Sequence, residues 1–248
     1  ASPTEAQENV ALQVAEQMSD YLVKGAVSNA INMPSITAEE APILKPFIKL
    51  ADVLGAFVGQ VTESAIKEIE ILYDGSTAQM NTKALTSALL AGLIRNQVSD
   101  VNMVSAPIMI KEKGIVLSEV KRDKTGVYDG YIKLTVTTAN QTRSIAGTVF
   151  SDGKPRFIQI KGINMDADVG ANMIYISNTD VPGMIGFMGT TLGEGGVNIA
   201  NFQLGRDKQG GDAIALLYVD EPIKQDVLDK LVAHSAIRQA KPLSFNVD

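Results

Sequence analysis

Asn178, Asp180 and Asn198 are the residues of this chain whose types and spacing suit a small charged ligand. The stretch Asn178-Thr179-Asp180-Val181-Pro182-Gly183 leads into an apolar helix pattern, and Gly196-Val197-Asn198-Ile199 opens the strand beyond it. Pro182 and Gly183 favour a tight turn into the helix, whose first N–H groups lack intrahelical acceptors and carry partial positive charge. A carboxylate placed there gains hydrogen bonds and a favourable dipole. Asp180 can accept bonds from an ammonium group, and Asn198 offers both a donor and an acceptor. A small zwitterion such as an amino acid meets both halves of this arrangement. Read locally, the same residues also have a plainer role, with Asp180 capping the helix and Asn198 filling a turn.

No catalytic or metal centre is expected. The chain has no Cys, which removes thiolate ligands, disulfides and a Cys nucleophile. Its single histidine, His234, lies near the end of a predicted surface helix and is expected to be solvated. A formal charge of −6 without a Lys/Arg cluster argues against a nucleic-acid partner. No apolar run approaches the ~20 residues of a membrane span, and Ala1-Ser2-Pro3-Thr4-Glu5 does not read as a signal peptide. The expected setting is therefore soluble and cytoplasmic. With 248 residues and 45% hydrophobic content, the chain is long enough for two compact domains with separate cores.

Several elements must position the loop. Ser2, Pro3 and Glu5 form a helix start. Val10, Val14, Met18 and Tyr21/Leu22 form a stripe that runs to Gly25. Residues 26–34 offer that stripe little cover, so residues 1–35 are expected to be the trailing helix and exit segment of a further domain. Thr37 with Glu40 starts a second helix, whose apolar face is Phe47, Leu50, Ala51, Leu54, Val58 and Val61. Ile69, Ile71 and Tyr73 alternate as a strand before the Asp74-Gly75 turn, and residues 83–97 read as a helix. Strands follow at 131–138, 143–150 and 156–162, which makes 36–168 an α+β domain. From 172 to 248 the order is βαββαβ: strand 173–177, helix 183–192, strands 197–204 and 213–219, a helix marked by Val227, Leu228 and Leu231, and a strand at 242–247. Self-association is expected through unpaired strand edges of this last unit, with 173–177 unprotected by Pro or charge.

Several segments together resemble one family. Glu5–Ala11 with Gln13–Gln17 resembles the long helix that closes the catalytic part of D-3-phosphoglycerate dehydrogenase, and Gly25–Ala30 its exit. Asn102–Pro107 and Arg143–Thr148 resemble that family's intervening domain, which is named for allosteric substrate binding. The βαββαβ tail resembles an ACT domain, a ferredoxin-like module that senses amino acids. The resemblance implies a parent enzyme that oxidises 3-phosphoglycerate with NAD at the opening of serine biosynthesis. It further implies L-serine as feedback effector at Asn178, Asp180, Pro182, Gly183 and Asn198, and a homo-oligomer. The family's dinucleotide loop and acid–base residues are not read in this sequence: no Gly-x-Gly-x-x-Gly follows a predicted strand, and Gly193–Gly196 and Gly210-Gly211 read as turns. No cofactor and no catalysis are expected of this chain by itself.

In relatives the intervening domain can hold an anion. Arg156, with Lys161 behind it, is the local candidate, and both also fit a reading as solvated surface charges. A module that only assembles subunits and binds no ligand is the alternative to effector sensing.

Overall fold

The computed structural model describes residues 3–124 and 126–247. The helices are α1 (Pro3–Lys24), α2 (Ala41–Val61), α3 (Thr82–Ile94), α4 (Ser105–Glu112), α5 (Met184–Glu194) and α6 (Gln225–Val232). The strands are β1 (Ile66–Gly75), β2 (Val116–Arg122), β3 (Gly130–Thr138), β4 (Thr142–Val149), β5 (Pro155–Ile160), β6 (Ile163–Asp168), β7 (Asn172–Thr179), β8 (Ile199–Arg206), β9 (Asp212–Val219) and β10 (Ile237–Ser244). They form a six-stranded sheet, β2-β1-β3-β4-β5-β6, and a four-stranded sheet, β10-β7-β9-β8. The class is α+β, as expected. The second sheet has the fourth-first-third-second order of a ferredoxin-like βαββαβ unit.

Local chemistry explains the helix starts that the sequence marked. Thr37 N donates to Glu40 Oε2 and Glu40 N to Thr37 Oγ1, both at 3.1 Å, a reciprocal box that opens α2. Gly25 ends α1 at φ 74°, donating its N–H to Tyr21 O (2.9 Å). The α1 stripe stands exposed, Val10, Val14, Met18 and Leu22 included. Ser2, read as the cap of α1, lies outside the described residues.

The larger sheet covers one face with α2 and α3. Ile132, Leu134 and Val136 of β3 point into that core while Tyr131, Lys133 and Thr135 face outward. In the smaller sheet, β7 and β9 are buried on both faces. Ile174, Ile176, Ala215 and Leu217 pack against α5 and α6. Met173, Tyr175, Ile214 and Leu216 join the core of the larger sheet. Phe57 of α2 links the two, edge-on to Phe157 of β5 and to Tyr175 of β7, each at 5.5 Å.

Three expectations are corrected. The 173–177 strand is interior, paired with β10 on one side and β9 on the other, so the edges of the small sheet are β8 and β10. The last strand begins at Ile237, five residues earlier than read, with Pro242 inside it. An edge strand tolerates a proline because its outward N–H need not join a ladder. Strands β2 and β6 and helix α4 were not read from the sequence.

Candidate functional site

The loop from β7 to α5 opens on a cavity of about 580 Å³ closed on its other side by the end of β8. Asn178, Asp180, Pro182 and Gly183 all line it. Asn178 is 1% exposed. Its Nδ2 donates to Thr179 O at 2.8 Å, while its buried Oδ1 has no partner. Leaving such an acceptor unmatched is costly, so a donor in the cavity would relieve it.

Asp180 does not cap α5. Its Oδ2 accepts from Arg206 Nη1 (2.7 Å) and Gly210 N (3.1 Å), while its own N–H donates to Gly211 O (2.8 Å). The Arg206 hydrogen bond and then the Gly210 N–H hold its carboxyl below the usual aspartate range, so it is charged at neutral pH. Helix α5 is left without any side-chain cap. Gly183 precedes it at φ 88°, a conformation that a side chain would strain. The first bond of the helix runs from Phe187 N to Gly183 O (2.9 Å). The N–H groups of Met184, Ile185 and Gly186, which precede that bond and line the cavity, have no intrahelical acceptor. An acceptor-rich wall and a donor-rich helix end thus face one space.

Asn198 is not brought to this space within the chain. It precedes β8, whereas Leu204, Gly205 and Arg206 at the strand's other end line the cavity. The length of β8 separates them, about 23 Å at ~3.3 Å per residue. Asn198 Nδ2 instead donates to Asp220 Oδ2 at 2.5 Å.

Arg206 was missed. Strands β7 and β8 both run antiparallel to β9 and therefore parallel to each other. Their C-terminal ends converge, and this topology places Arg206 beside Asp180.

The candidate anion pair is also separated. Arg156 pairs with Asp168 of β6 and, at 3.6 Å, with Asp152, and lies 5.1 Å from the Phe150 ring centroid. These carboxylates neutralise it. Lys161 sits beyond the opposite end of β5, in a different cleft. His234 is half-buried, its ring tilted at 44° against that of Phe187 with centroids 4.4 Å apart, and its Nδ1 accepts from Ala236 N (3.2 Å). It closes the turn after α6 instead of standing free in solvent.

Residues 43–161 match the D-3-phosphoglycerate dehydrogenase intervening domain. The chain is similar to the D-3-phosphoglycerate dehydrogenase of Bacillus subtilis (strain 168), 34% identical over 232 residues, covering 93% of this chain and 44% of that protein. It is also similar to that of Synechocystis sp. (34% over 242 residues, 97% of this chain and 44% of that protein). A third relative is that of Methanocaldococcus jannaschii (33% over 234 residues, 93% and 44%). The chain spans less than half the length of the curated relatives it matches.

Proposed function

We propose that this chain, which belongs to the D-3-phosphoglycerate dehydrogenase family, is a regulatory region that binds L-serine between the β7–α5 loop and the end of β8 and assembles subunits. The observation that carries the reading is the pairing, in one cavity, of an uncapped helix N-terminus with an ionised Asp180 and the unmatched buried Oδ1 of Asn178. The amino acid's carboxylate meets the N–H groups of Met184 to Gly186, and its ammonium meets Asp180 and Asn178. Titration calorimetry of the chain with L-serine tests it. The Arg206–Asp180 ion pair favours a second reading, in which the loop is already satisfied and the unit only assembles. An absence of serine-dependent heat at millimolar ligand would select that reading.

Assembly through β8 supports the ligand site as well. Edge strand β10 carries Pro242, Arg238 and Lys241 and is bonded to the end of α2 through Gln60 and Ser244 (2.8 Å). Edge strand β8 has no proline, and the apolar side chains Leu204, Ile185 and Val181 around its end are exposed. Antiparallel pairing of two β8 strands across a two-fold axis satisfies both edges. It also sets the partner's Asn198 opposite Leu204–Arg206, at the cavity. Sedimentation at about tens of micromolar should give a dimer or a larger assembly, and Leu204→Glu should dissociate it across this edge. A wild-type monomer sinks the proposal, and a Leu204→Glu chain that sediments as wild type places the contact elsewhere.

The dehydrogenase activity itself belongs to the parent enzyme on this reading, with NAD as its cofactor. Gly193–Gly196 closes α5, with Gly196 N donating to Gly193 O (3.0 Å), and Gly210 turns a hairpin at φ 69°. Neither stands between a strand and a helix N-terminus, the position a dinucleotide's pyrophosphate uses. The isolated chain is expected to bind no nicotinamide nucleotide at micromolar affinity and to oxidise no 3-phosphoglycerate. Either activity in the purified chain would overturn this.

A further inference from the structure

The larger sheet ends differently on its two sides. At one end β6 lies under the face of β8 that carries Asn201 and Gly205. Asn201 Nδ2 donates to Asp168 Oδ2 at 3.1 Å, and a Cβ at Gly205 would stand 2.6 Å from Ile163 Cγ2. At the other end β2 pairs with β1 alone, and no further strand among the described residues takes up its outer edge. Edge strands that stay single are commonly broken by proline, bulged, very short or charged. Strand β2 runs seven residues, Val116-Leu117-Ser118-Glu119-Val120-Lys121-Arg122, in one unbroken register with β1. Its three apolar side chains are all exposed, and charge at Glu119, Lys121 and Arg122 is the one blocking feature it carries.

Side chains hold this strand flat on the sheet and fix which way each residue faces. Glu119 Oε1 accepts from Thr86 Oγ1 of α3 at 2.6 Å, so Leu117, Glu119 and Lys121 lie on the helix-covered face. Arg122 Nε donates to the buried Asp74 at 2.7 Å and its Nη2 to the Tyr131 hydroxyl at 2.8 Å. Val116, Ser118, Val120 and Arg122 therefore lie on the outer face. Lys121 joins none of the ion pairs among the described residues.

Those faces decide how a second copy can pair. Two β2 strands related by a two-fold axis run antiparallel, and residues directly opposite each other share a face. The axis must therefore pass through a residue position, because an offset of one would oppose a helix-side residue to an outer one. Through Ser118 it would set Leu117 opposite Glu119. Through Glu119 or Lys121 it would set like charges opposite each other, which destabilises a sheet. Through Val120 it sets Glu119 opposite Lys121 twice, Val120 opposite itself, and Ser118 opposite Arg122. Of these four registers, this one alone opposes unlike charges and no like ones.

We propose that β2 is an assembly edge at which a second copy of this chain pairs antiparallel about Val120, continuing the larger sheet from one subunit into the next. The charges that would repel a strand of another sequence then select this one. The unpaired Lys121 gains a partner, and the exposed Val120 is covered by its own counterpart. The contact needs neither serine binding nor pairing at β8. The two edges lie on different sheets, and two different two-fold contacts in one chain build more than a dimer.

The chain contains no Cys, so a single introduced one reports the register. Val120→Cys sets two thiols directly opposite each other and should give a covalent dimer under mild oxidation. Ser118→Cys should not, because its two copies lie about 13 Å apart at ~3.3 Å per residue, beyond the roughly 7 Å across which a disulfide closes. Sedimentation is read in full chain carrying Leu204→Glu, which removes the β8 edge from the comparison. That chain should still dimerise. Adding Lys121→Glu or Glu119→Lys turns both facing pairs into like charges and should weaken dimerisation about tenfold or more. Adding both restores the opposite charges and should restore the dimer, which loss of the Glu119–Thr86 bond alone would not predict. A monomeric Leu204→Glu chain, cross-linking at 118 as fast as at 120, or a charge swap that fails to rescue overturns the proposal. A wild-type assembly indifferent to Leu204→Glu counts against β8 instead, and the Val120→Cys cross-link still decides β2.

Discussion

Replacing Asp180 with alanine is expected to weaken L-serine binding by about ten- to a hundredfold, the loss that follows removal of one charge-assisted bond. Both of Asp180's side-chain bonds use Oδ2, which leaves Oδ1 for the ligand's ammonium. Because the Arg206 hydrogen bond depresses its pKa, Asp180 stays ionised on descending through the ordinary aspartate range. Any stability it contributes is present above the unfolded pKa and is lost only as pH falls through the lower folded one. Serine affinity should therefore be flat between about pH 6 and 8. Asp180→Asn keeps the shape without the charge and should fall between wild type and Asp180→Ala. Lys208→Ala, on the hairpin turn outside the cavity, should bind as wild type. Serine binding that survives Asp180→Ala unchanged would leave the sensor standing and remove the ammonium from this position.

Much of this arrangement was readable because it rests on local chemistry. Thr37 and Glu40 announce their capping box by spacing alone, and the β3 alternation states which face is inward. The segment Asn178–Gly183 carries its turn residues in order. What was not readable depends on partners distant in sequence. Strand β2 is exposed at every position, so no hydrophobic pattern marks it, and it is a strand because the parallel edge of β1 accepts it. Strand β6 alternates Ile163, Met165 and Ala167 with polar residues, but at six residues it is short and its turn carries lysine where asparagine would have signalled a hairpin. Arg206 follows from the parallel course of β7 and β8, and Arg143 meets Gln239 across 96 residues of chain. The edge role given to 173–177 failed for a physical reason. A run without Pro or charge also marks a central strand buried on both faces, which is what β7 is.

The largest stability effect is expected at Gly55. Helices α2 and α3 approach so closely that a Cβ at Gly55 would stand 2.0 Å from Leu89 O and 2.8 Å from Leu93 N. The contact is reciprocal: a Cβ at Gly92 would meet Asp52 O at 2.2 Å, and one at Gly59 would meet Leu93 O at 2.2 Å. These obstacles are backbone atoms, so no rotamer change relieves them and the helices themselves must separate. That shift disturbs Leu50, Leu54, Leu89 and Leu93, all fully buried. Gly55→Ala gains about 1 kcal/mol of helix propensity, whereas overpacking a close-packed core costs about 1–3 kcal/mol and sometimes more. With backbone on both sides of the collision the upper end applies, and a net loss of about 2 kcal/mol is expected. In a chain of this length that lowers Tm by roughly 4–8 °C. Gly189→Ala on α5, where a Cβ meets nothing within 4 Å, keeps the propensity gain without the collision and should melt at or slightly above wild type. Thermal unfolding of the two variants beside wild type separates the effects. Should Gly55→Ala melt with Gly189→Ala, the α2–α3 contact is loose enough to yield, and the glycines at 55, 59 and 92 are not what sets the spacing of the core.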